Sequence, residues 1–350
     1  MTKQKVVIVG AGLSGLFLAW KLEEAGFEVM VLEARDRIGG RIFTKKSNDA
    51  KVEMGATWLG SQHVHLVELL KTFDISIYEQ YMEGTTFFEP YSTSPPQPIE
   101  LPPQDPSYRI KGGTSSLINA LEAKLTQGII HFNEEVKKVT YLDDRIHVQT
   151  NHRVEQADLV ISTLPPALLI NSVEFDPPLP EPILQLSRQT QTWMRDSIKA
   201  AVVFAKPFWR ERKLSGTLFS NMGPLNECYD HTSFEQDSFA LKGFVNEAFT
   251  NLDPGERESS VIQQLKGTFG EEAELYSAYE EVVWSQEKYT RGLDDADLFP
   301  HQNNGHPLFG EISLYDDRFF ISGSETATLH GGYMEGAIVA GKRLIEKLLK

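Results

Sequence analysis

Residues 5–33 read KVVIVGAGLSGLFLAWKLEEAGFEVMVLE, and this stretch decides the fold of the chain. Residues 5–9 are a short β-branched run, which predicts a buried parallel strand. Residues 14–25 carry apolar side chains near the helical period, and Gly26 ends the predicted helix. Glu28–Leu32 predicts a second buried strand. Together these segments predict a βαβ unit of about 30 residues.

The turn between the first strand and the helix carries three glycines, Gly10, Gly12 and Gly15. Gly10 permits the tight turn, Gly12 lets the backbone approach a diphosphate, and Gly15 allows the helix and the strand to pack closely. The N–H groups at the start of the helix then face the anion. Glu33 stands 21 residues after Gly12, where a carboxylate accepts hydrogen bonds from ribose and disfavours the 2′-phosphate of NADP. These residues predict a bound dinucleotide, but they do not separate NAD from FAD.

The composition is that of an acidic globular chain. Of the 350 residues, 41% are hydrophobic and 24% are charged, which suits two domains of ordinary size. The net charge of -15 argues against a nucleic-acid partner, since phosphate binding requires a basic face. Cys228 is the only cysteine, so we expect no intrachain disulfide, and no histidine spacing predicts a metal site. No signal peptide and no membrane-length apolar run is visible, so we expect a cytoplasmic location without membrane contact.

Farther along the chain, periodicity and proline placement predict the remaining elements. Seven prolines in residues 90–106 predict an extended excursion or linker without regular structure. Residues 129–132, 136–142 and 145–150 predict three strands of one meander. The chain closes with a predicted helix over residues 333–349.

Residues 33–41, EARDRIGGR, follow the second predicted strand. This segment resembles the one that follows the second strand in the glutathione-reductase-like flavoprotein superfamily. In that superfamily the glycines let the backbone pass the cofactor and the arginine reaches its diphosphate, which implies FAD. A guanidinium can meet the doubly charged diphosphate with several donors. The alternative for Arg41 is a solvated surface charge.

Two further segments resemble the flavin-containing monoamine oxidase family. Gly55-Ala-Thr-Trp58 follows at the spacing seen in that family, and residues 321–338 look like its closing flavin-binding signature. The resemblance implies an α/β fold, with a Rossmann-like FAD-binding domain and an interleaved, reduced α+β substrate domain. The FAD-binding domain is assigned residues 1–77, 108–190 and 288–350, and the substrate domain residues 78–107 and 191–287.

The same resemblance implies a set of residues that hold FAD. The adenosine and diphosphate are assigned to Gly12, Ser14, Gly15, Glu33, Arg35, Gly40 and Arg41, with the adenine edge on the backbone of Val136. Thr57 and Trp58 are expected beside the isoalloxazine, and Glu325 at the ribityl or diphosphate groups. Further cofactor contacts are assigned to Gly10, Leu13, Ala34, Gly55, Ala56, Tyr333, Met334 and Ala337. The last helix is expected to begin under the flavin, where its dipole stabilises negative charge.

Four side chains are assigned to the chemistry by the resemblance. Lys199 matches the family lysine that holds a water against flavin N5 and is linked to reoxidation by O2; the alternative is a strand-edge lysine that reaches solvent. Tyr333 matches one of two tyrosines that sandwich the amine. Asp294 stands at the other position, either to pair with a substrate cation or as part of an exposed loop. Trp284 either packs beside the flavin or the lysine or is a core tryptophan.

Two departures from the family bear on cofactor attachment and assembly. Some members attach FAD covalently through a cysteine near the position of Leu293, and its absence here implies dissociable, non-covalent FAD. The segment between Gly60 and Lys111 is shorter than in larger relatives. We therefore expect a substrate face that is more open, or one covered by a partner subunit in a homodimer.

The activity that the resemblance implies is FAD-dependent oxidation of an amine. Hydride passes from the α-carbon to flavin N5, the imine hydrolyses, and O2 reoxidises the flavin to give H2O2. The expected partners are therefore a small-molecule amine and O2. Two alternatives stay open: another flavin oxidoreductase on this scaffold, such as a desaturase or an NAD(P)H-oxidising enzyme, and a non-catalytic flavin-binding protein.

Overall fold

The computed structural model describes residues 3–91, 94–290 and 298–350. Its strands are β1 (Lys5–Val9), β2 (Glu28–Leu32), β3 (Thr44–Ser47), β4 (Ala50–Glu53), β5 (Leu59–Gly60), β6 (Ile77–Glu79), β7 (Thr85–Glu89), β8 (Gln97–Ile99), β9 (Ser107–Ile110), β10 (Ile130–His131), β11 (Val136–Leu142), β12 (Arg145–Thr150), β13 (Val154–Ala157), β14 (Leu159–Ser162), β15 (Glu174–Asp176), β16 (Ile198–Phe204), β17 (Leu214–Ser220), β18 (Leu225–Asp230), β19 (Phe239–Val245), β20 (Tyr276–Val283) and β21 (Phe319–Ile321). Its helices are α1 (Leu13–Glu24), α2 (Val64–Thr72), α3 (Ser115–Glu122), α4 (Pro166–Ser172), α5 (Glu181–Arg188), α6 (Phe208–Glu211), α7 (Pro254–Phe269), α8 (Leu308–Glu311) and α9 (Met334–Leu348). None of the helices among these residues combines the length and the hydropathy that a bilayer crossing requires.

A five-stranded parallel sheet brings together strands from residues 5 to 321. Its order is β10-β2-β1-β14-β21, and every neighbouring pair runs parallel. Val6 to Val9 are all buried, as expected of a parallel strand that is covered on both faces. Helices α1 and α9 pack against each other and share one hydrophobic core with this sheet. The Rossmann-like α/β arrangement predicted from residues 5–33 is therefore confirmed.

The strand predicted at residues 129–132 joins a different sheet from the one expected. β10 pairs parallel with β2, with Ile130 opposite Val31, at the edge of the five-stranded sheet. The meander instead consists of β11, β12 and β13, with β15 beside β11. The local pattern does not separate these outcomes, because tertiary contacts choose the partner of so short a strand.

The proline-rich stretch contains a strand where the sequence predicts none. β8 pairs antiparallel with β7, and Pro98 stands opposite Phe87. β8 is the last strand of a seven-stranded sheet. An edge strand tolerates proline because an N–H that is missing on its open side breaks no ladder hydrogen bond.

The seven-stranded sheet, in the order β20-β16-β19-β18-β17-β7-β8, positions the second half of the site. All seven residues of β16 are buried, and this strand lies antiparallel between β19 and β20. Because strand side chains alternate, Ile198 and Ala200 pack with α7 while Lys199 projects from the opposite face. The strands come from residues 85–99 and 198–283, inside the ranges expected for the substrate domain. The domain boundaries themselves stay a prediction.

Candidate functional site

A cavity of about 770 Å³ lies at the carboxyl ends of β1 and β2. Ligands of doubly wound sheets bind at this edge. The predicted site residues that line the cavity are Gly10, Gly12, Leu13, Ser14, Glu33, Ala34, Arg35, Gly40, Arg41, Ala56, Thr57, Trp58, Val136, Lys199, Tyr333, Met334 and Ala337. Residues assigned to the cofactor and to the chemistry therefore meet in one space, with Lys199 supplied by the seven-stranded sheet.

Five predicted site residues are not among those that line this cavity. Gly15, Gly55, Trp284 and Glu325 are absent from its wall, and Asp294 lies outside the described residues. Gly15, Gly55 and Glu325 each contact a residue of the wall. Glu325 is joined to the cavity wall by its ion pair with Arg41, and its direct contact with the cofactor stays a prediction.

The glycine turn places bare backbone at the cavity. Gly10 has a φ of +103°, a conformation that other residues rarely adopt. A Cβ on Gly15 would lie 1.9 Å from the Gly10 carbonyl oxygen, so only glycine allows α1 to start this close to β1. A cradle without side chains, next to the start of a 12-residue helix, fits a diphosphate.

Replacing Gly15 with alanine is expected to lower the affinity for FAD at least tenfold, because the added Cβ forces the Gly10 carbonyl and the turn to move. Gly267→Ala is the matched control: it lies in α7, a Cβ there meets nothing within 4 Å, and it should stabilise the fold by up to about 1 kcal/mol. Flavin fluorescence titration measures the affinity, and urea denaturation measures the stability. Equal FAD affinity for Gly15→Ala and Gly267→Ala would contradict the assignment of the turn.

Glu33, the residue after β2, is a buried carboxylate that is hydrogen-bonded to the glycine turn after β1. Its Oε2 accepts the backbone N–H of Ala11 at 2.7 Å, and its Oε1 accepts the N–H of Arg35 at 2.9 Å. A carboxylate offers about four acceptor sites. Two of them are used by the backbone, so the others can serve ribose hydroxyls from the cavity wall where Glu33 lies.

Arg41 is fixed at the cavity wall by Glu325. Its Nη1 and Nη2 donate to the two Glu325 carboxylate oxygens at 2.5 and 3.0 Å, and Nη2 also donates to Ser324 Oγ at 2.9 Å. Glu325 is fully buried, and its partner side chain is 20% exposed. The bidentate pair therefore orients the guanidinium, and Arg41 is not the solvated surface charge of the alternative interpretation.

Lys199 is a buried lysine on an interior strand of the seven-stranded sheet rather than on its edge strand. Its Nζ donates to the Gly55 carbonyl oxygen and lies 4.7 Å from the centre of the Phe244 ring. Burial lowers the pKa of Lys199 to about 7. The amine is therefore neutral above that pH, and it can then accept a hydrogen bond at the cavity wall.

Tyr333 joins an aromatic cluster that sequence reasoning missed. Its ring centre lies 5.9 Å from that of Trp193 and 5.1 Å from that of His301, and the latter two rings stack at 4.5 Å. Trp193 lines the cavity beside Tyr333. No pattern marks Trp193 in the sequence, because it follows α5 in an irregular segment and reaches the site through tertiary packing.

Trp284 is a buried core residue, as one of the two alternatives expects, and it is not among the residues that line the cavity. Its side chain is fully buried, and its indole Nε1 donates to the Met54 carbonyl oxygen at 2.7 Å. The six residues that follow it, 285–290, do line the cavity. Thr290 Oγ1 accepts from Arg35 Nη2 at 3.1 Å, so this segment meets the loop after β2.

Comparison with known families agrees with this geometry. The sequence model of the family described as flavin-containing amine oxidoreductase matches residues 13–97 and 96–344. The chain is 23% identical to the probable flavin-containing monoamine oxidase A of Dictyostelium discoideum, over 99% of this chain and 98% of that protein. It is 25% identical to human flavin-containing amine oxidase B, over 99% of this chain and 86% of that protein. The human alignment runs over 455 residues against 350 here, so that relative has segments without a counterpart.

Solved structures share the fold at low sequence identity. A putrescine oxidase bound to putrescine superposes with a TM-score of 0.85 at 23% identity, over 99% of each chain. Cyclohexylamine oxidase from Brevibacterium oxydans superposes with a TM-score of 0.85 at 18% identity, over 100% of each chain.

Proposed function

Because the chain belongs to the flavin-containing amine oxidoreductases, we propose that its main cavity holds FAD non-covalently and presents an amine to the flavin beside Lys199. The family match agrees with the predicted FAD cofactor and with amine oxidation, and it disfavours the two alternatives. One observation carries the proposal: the glycine turn, Arg41 and Lys199 line a single cavity although they come from distant parts of the chain.

Several described residues of the cavity wall suit parts of FAD. The bare turn at Gly12 and the guanidinium of Arg41 suit the diphosphate, and Glu33 retains acceptor sites for ribose. Helix α9 begins at Met334 on the cavity wall, so its N-terminal N–H groups favour negative charge there. The only cysteine, Cys228, is buried in the core of the seven-stranded sheet, which supports a dissociable cofactor.

The side chains around Lys199 define what the protein contributes to the reaction. When bound, FAD supplies a two-electron acceptor that takes hydride from the α-carbon of the amine and passes electrons to O2. Trp58, Phe244 and Trp193 give this region an apolar wall that excludes water and favours an uncharged amine. The neutral amine of Lys199 can hold a water molecule and take its proton.

Anaerobic titration of the oxidised enzyme with primary amines, secondary amines and diamines tests this function. We expect at least one amine to bleach the flavin absorbance, and readmission of O2 to restore it with formation of H2O2. Bleaching by NAD(P)H with no response to any amine would refute the proposal. A yellow supernatant after heat denaturation would show that the FAD is not covalently attached.

A carboxylate on the same sheet face suggests which amines are preferred. Glu227, Phe244 and Lys199 stand directly opposite one another on β18, β19 and β16. Directly paired residues share a face, with Cβ atoms about 5 Å apart, so two steps place Glu227 about 10 Å from Lys199. Glu227 is half-buried beyond the residues that line the cavity, it accepts the Tyr229 hydroxyl, and no cation within the described residues pairs with it.

We therefore propose a diamine or polyamine substrate, whose second ammonium group pairs with Glu227. The similar fold of putrescine oxidase, solved with putrescine, supports this substrate class. Glu227→Gln should lower kcat/KM for a diamine by about tenfold to a hundredfold, since a hydrogen bond to a charged group contributes about 1.5–3 kcal/mol. The matched monoamine should be unaffected.

Steady-state kinetics with a diamine and with the monoamine of the same chain length measure this preference. Glu211→Gln is the control, because Glu211 is exposed and pairs with Lys206 on the surface. Equal losses for the monoamine and the diamine in Glu227→Gln would show that the carboxylate does not recognise the second cation.

A further inference from the structure

A second lysine is buried next to the one at the cavity wall. Lys199 stands opposite Phe244, and Ala201 stands opposite Lys242, so the two lysines are diagonal neighbours on one face of the sheet. Such diagonal positions lie about 7–8 Å apart. Lys199 is 3% exposed and Lys242 is fully buried. Lys242 has no place in the family resemblance or in the mechanism given above.

A chain of hydrogen bonds joins the two amines. Lys242 Nζ donates to Thr57 Oγ1, and the Thr57 hydroxyl donates to the Gly55 carbonyl oxygen at 3.1 Å. The same carbonyl oxygen accepts from Lys199 Nζ. Lys242 Nζ also lies 4.3 Å from the centre of the Trp58 ring, which lines the cavity. The two amines thus contact the same loop from two neighbouring strands.

The surroundings of Lys199 and Lys242 disfavour a positive charge on both amines at once. Within the described residues neither amine forms an ion pair; the acids that face them, Glu53 and Glu227, act at longer range. Burial lowers the pKa of both lysines, and the charges of Lys199 and Arg109 lower that of Lys242 further. His231, another titratable neighbour, is buried, and its own pKa is lowered by burial. Two ammonium groups this close in a dry site repel each other.

We propose that Lys242 is a positioning residue for Lys199: the two amines, linked through Thr57 and Gly55, carry one proton between them. One amine of the pair is then neutral under conditions where two ordinary lysines are both charged. When the proton resides on Lys242, the amine of Lys199 is free to accept a hydrogen bond at the cavity. The value of this to catalysis rests on the function proposed above, whereas the sharing of one proton does not.

The pH dependence of folding tests the shared proton without measuring activity. In the unfolded chain both lysines are charged below about pH 10. If the folded pair holds one proton, the wild type loses a proton on folding that Lys242→Met does not lose. Between pH 5.5 and 6.5 the folding equilibrium constant of the wild type should therefore rise about tenfold relative to that of Lys242→Met.

Urea denaturation of the FAD-loaded protein, at one fixed concentration of added FAD, measures these constants. Compared with Lys199→Met, the wild-type folding constant should rise with pH by the same factor, because either lysine alone keeps one proton. Lys199→Met therefore replaces Lys242→Met if that variant does not fold. Lys206→Met is the control, since Lys206 is exposed and should show no relative slope. Parallel curves for the wild type and both buried-lysine variants would overturn the shared proton.

The pH profile of the reaction with O2 tests whether Lys242 acts on Lys199. Without Lys242 the proton remains on Lys199, so the rate should begin to rise at higher pH than in the wild type. At one pH unit below the midpoint of its own rise, Lys242→Met should react with O2 at about a tenth of its plateau rate. A profile that is lower at every pH but unshifted would show that Lys242 only supports packing, and it would overturn the proposal even if flavin reduction by amines were normal.

Discussion

Replacing Lys199 with methionine is expected to slow the reaction of the reduced enzyme with O2 by about a hundredfold. The amine is buried at the cavity wall and bonded to Gly55, where burial lowers its pKa to about 7. Methionine keeps the length and the apolar stem of lysine but removes the group that can hold water and take a proton. The slower reaction therefore reflects the loss of the amine and not a cavity left in the core.

Stopped-flow mixing of the reduced enzyme with O2 across pH 6 to 9 measures the effect. Molecules that carry the shared proton on Lys199 lose it as the pH rises through about 7, so the wild-type rate should rise there. Lys199→Met should lack that step, while Lys206→Met, altered at an exposed surface pair, should retain it. A Lys199→Met profile that matched the wild type would remove Lys199 from the reaction.

Replacing Glu325 with glutamine is expected to destabilise the protein by about 3–5 kcal/mol and to weaken FAD binding. The fully buried Glu325 carboxylate holds the guanidinium of Arg41 with two hydrogen bonds. Glutamine preserves the shape but removes the charge, so the mostly buried guanidinium loses its compensation. The orientation of Arg41 at the cavity wall is lost with it.

Thermal and urea denaturation at a fixed FAD concentration measure the loss of stability in Glu325→Gln, and fluorescence titration measures its FAD affinity. Glu272→Gln is the control, because Glu272 is 41% exposed, lies 3.3 Å from Arg212 and does not line the cavity, so its loss should stay below about 1 kcal/mol. In the Arg41→Ala background, Glu325→Gln should cost much less, since the pair is already broken. Additive losses would show that Glu325 does not act through Arg41.

The amino-terminal half of the cofactor site could be predicted from sequence because its signals are local. The bounds of β1 and β2 agree with the predicted strands, and Gly10 and Gly15 have the tight geometry that the motif requires. Each of these features depends on a few consecutive residues and on the backbone between them. Resemblance to a family then identified the cofactor as FAD, which the glycines and Glu33 alone left open.

The second half of the site could not be predicted in this way. Glu325 was expected on the cofactor, and in the structure it pairs with Arg41; the sequence left open whether Trp284 lies beside the flavin or the lysine or packs in the core, and it is buried. Trp193 and Lys242 carried no sequence signal, although one lines the cavity and the other bonds to a residue of its wall. A single chain does not show whether a buried polar residue faces a cavity or a neighbour.

The sequence by itself determined the βαβ unit, the dinucleotide turn and, through resemblance, an FAD-dependent amine oxidoreductase. Only the tertiary structure decided which side chains surround Lys199, because they come from β4–β5, β16, β18 and β19, which are far apart along the chain. Because side chains alternate along a strand, the sequence decides which residues of β16 share a face with Lys199 and which residues of β19 share a face with Lys242. The register between β16 and β19 then brings them together, and side-chain packing across the whole sheet sets that register.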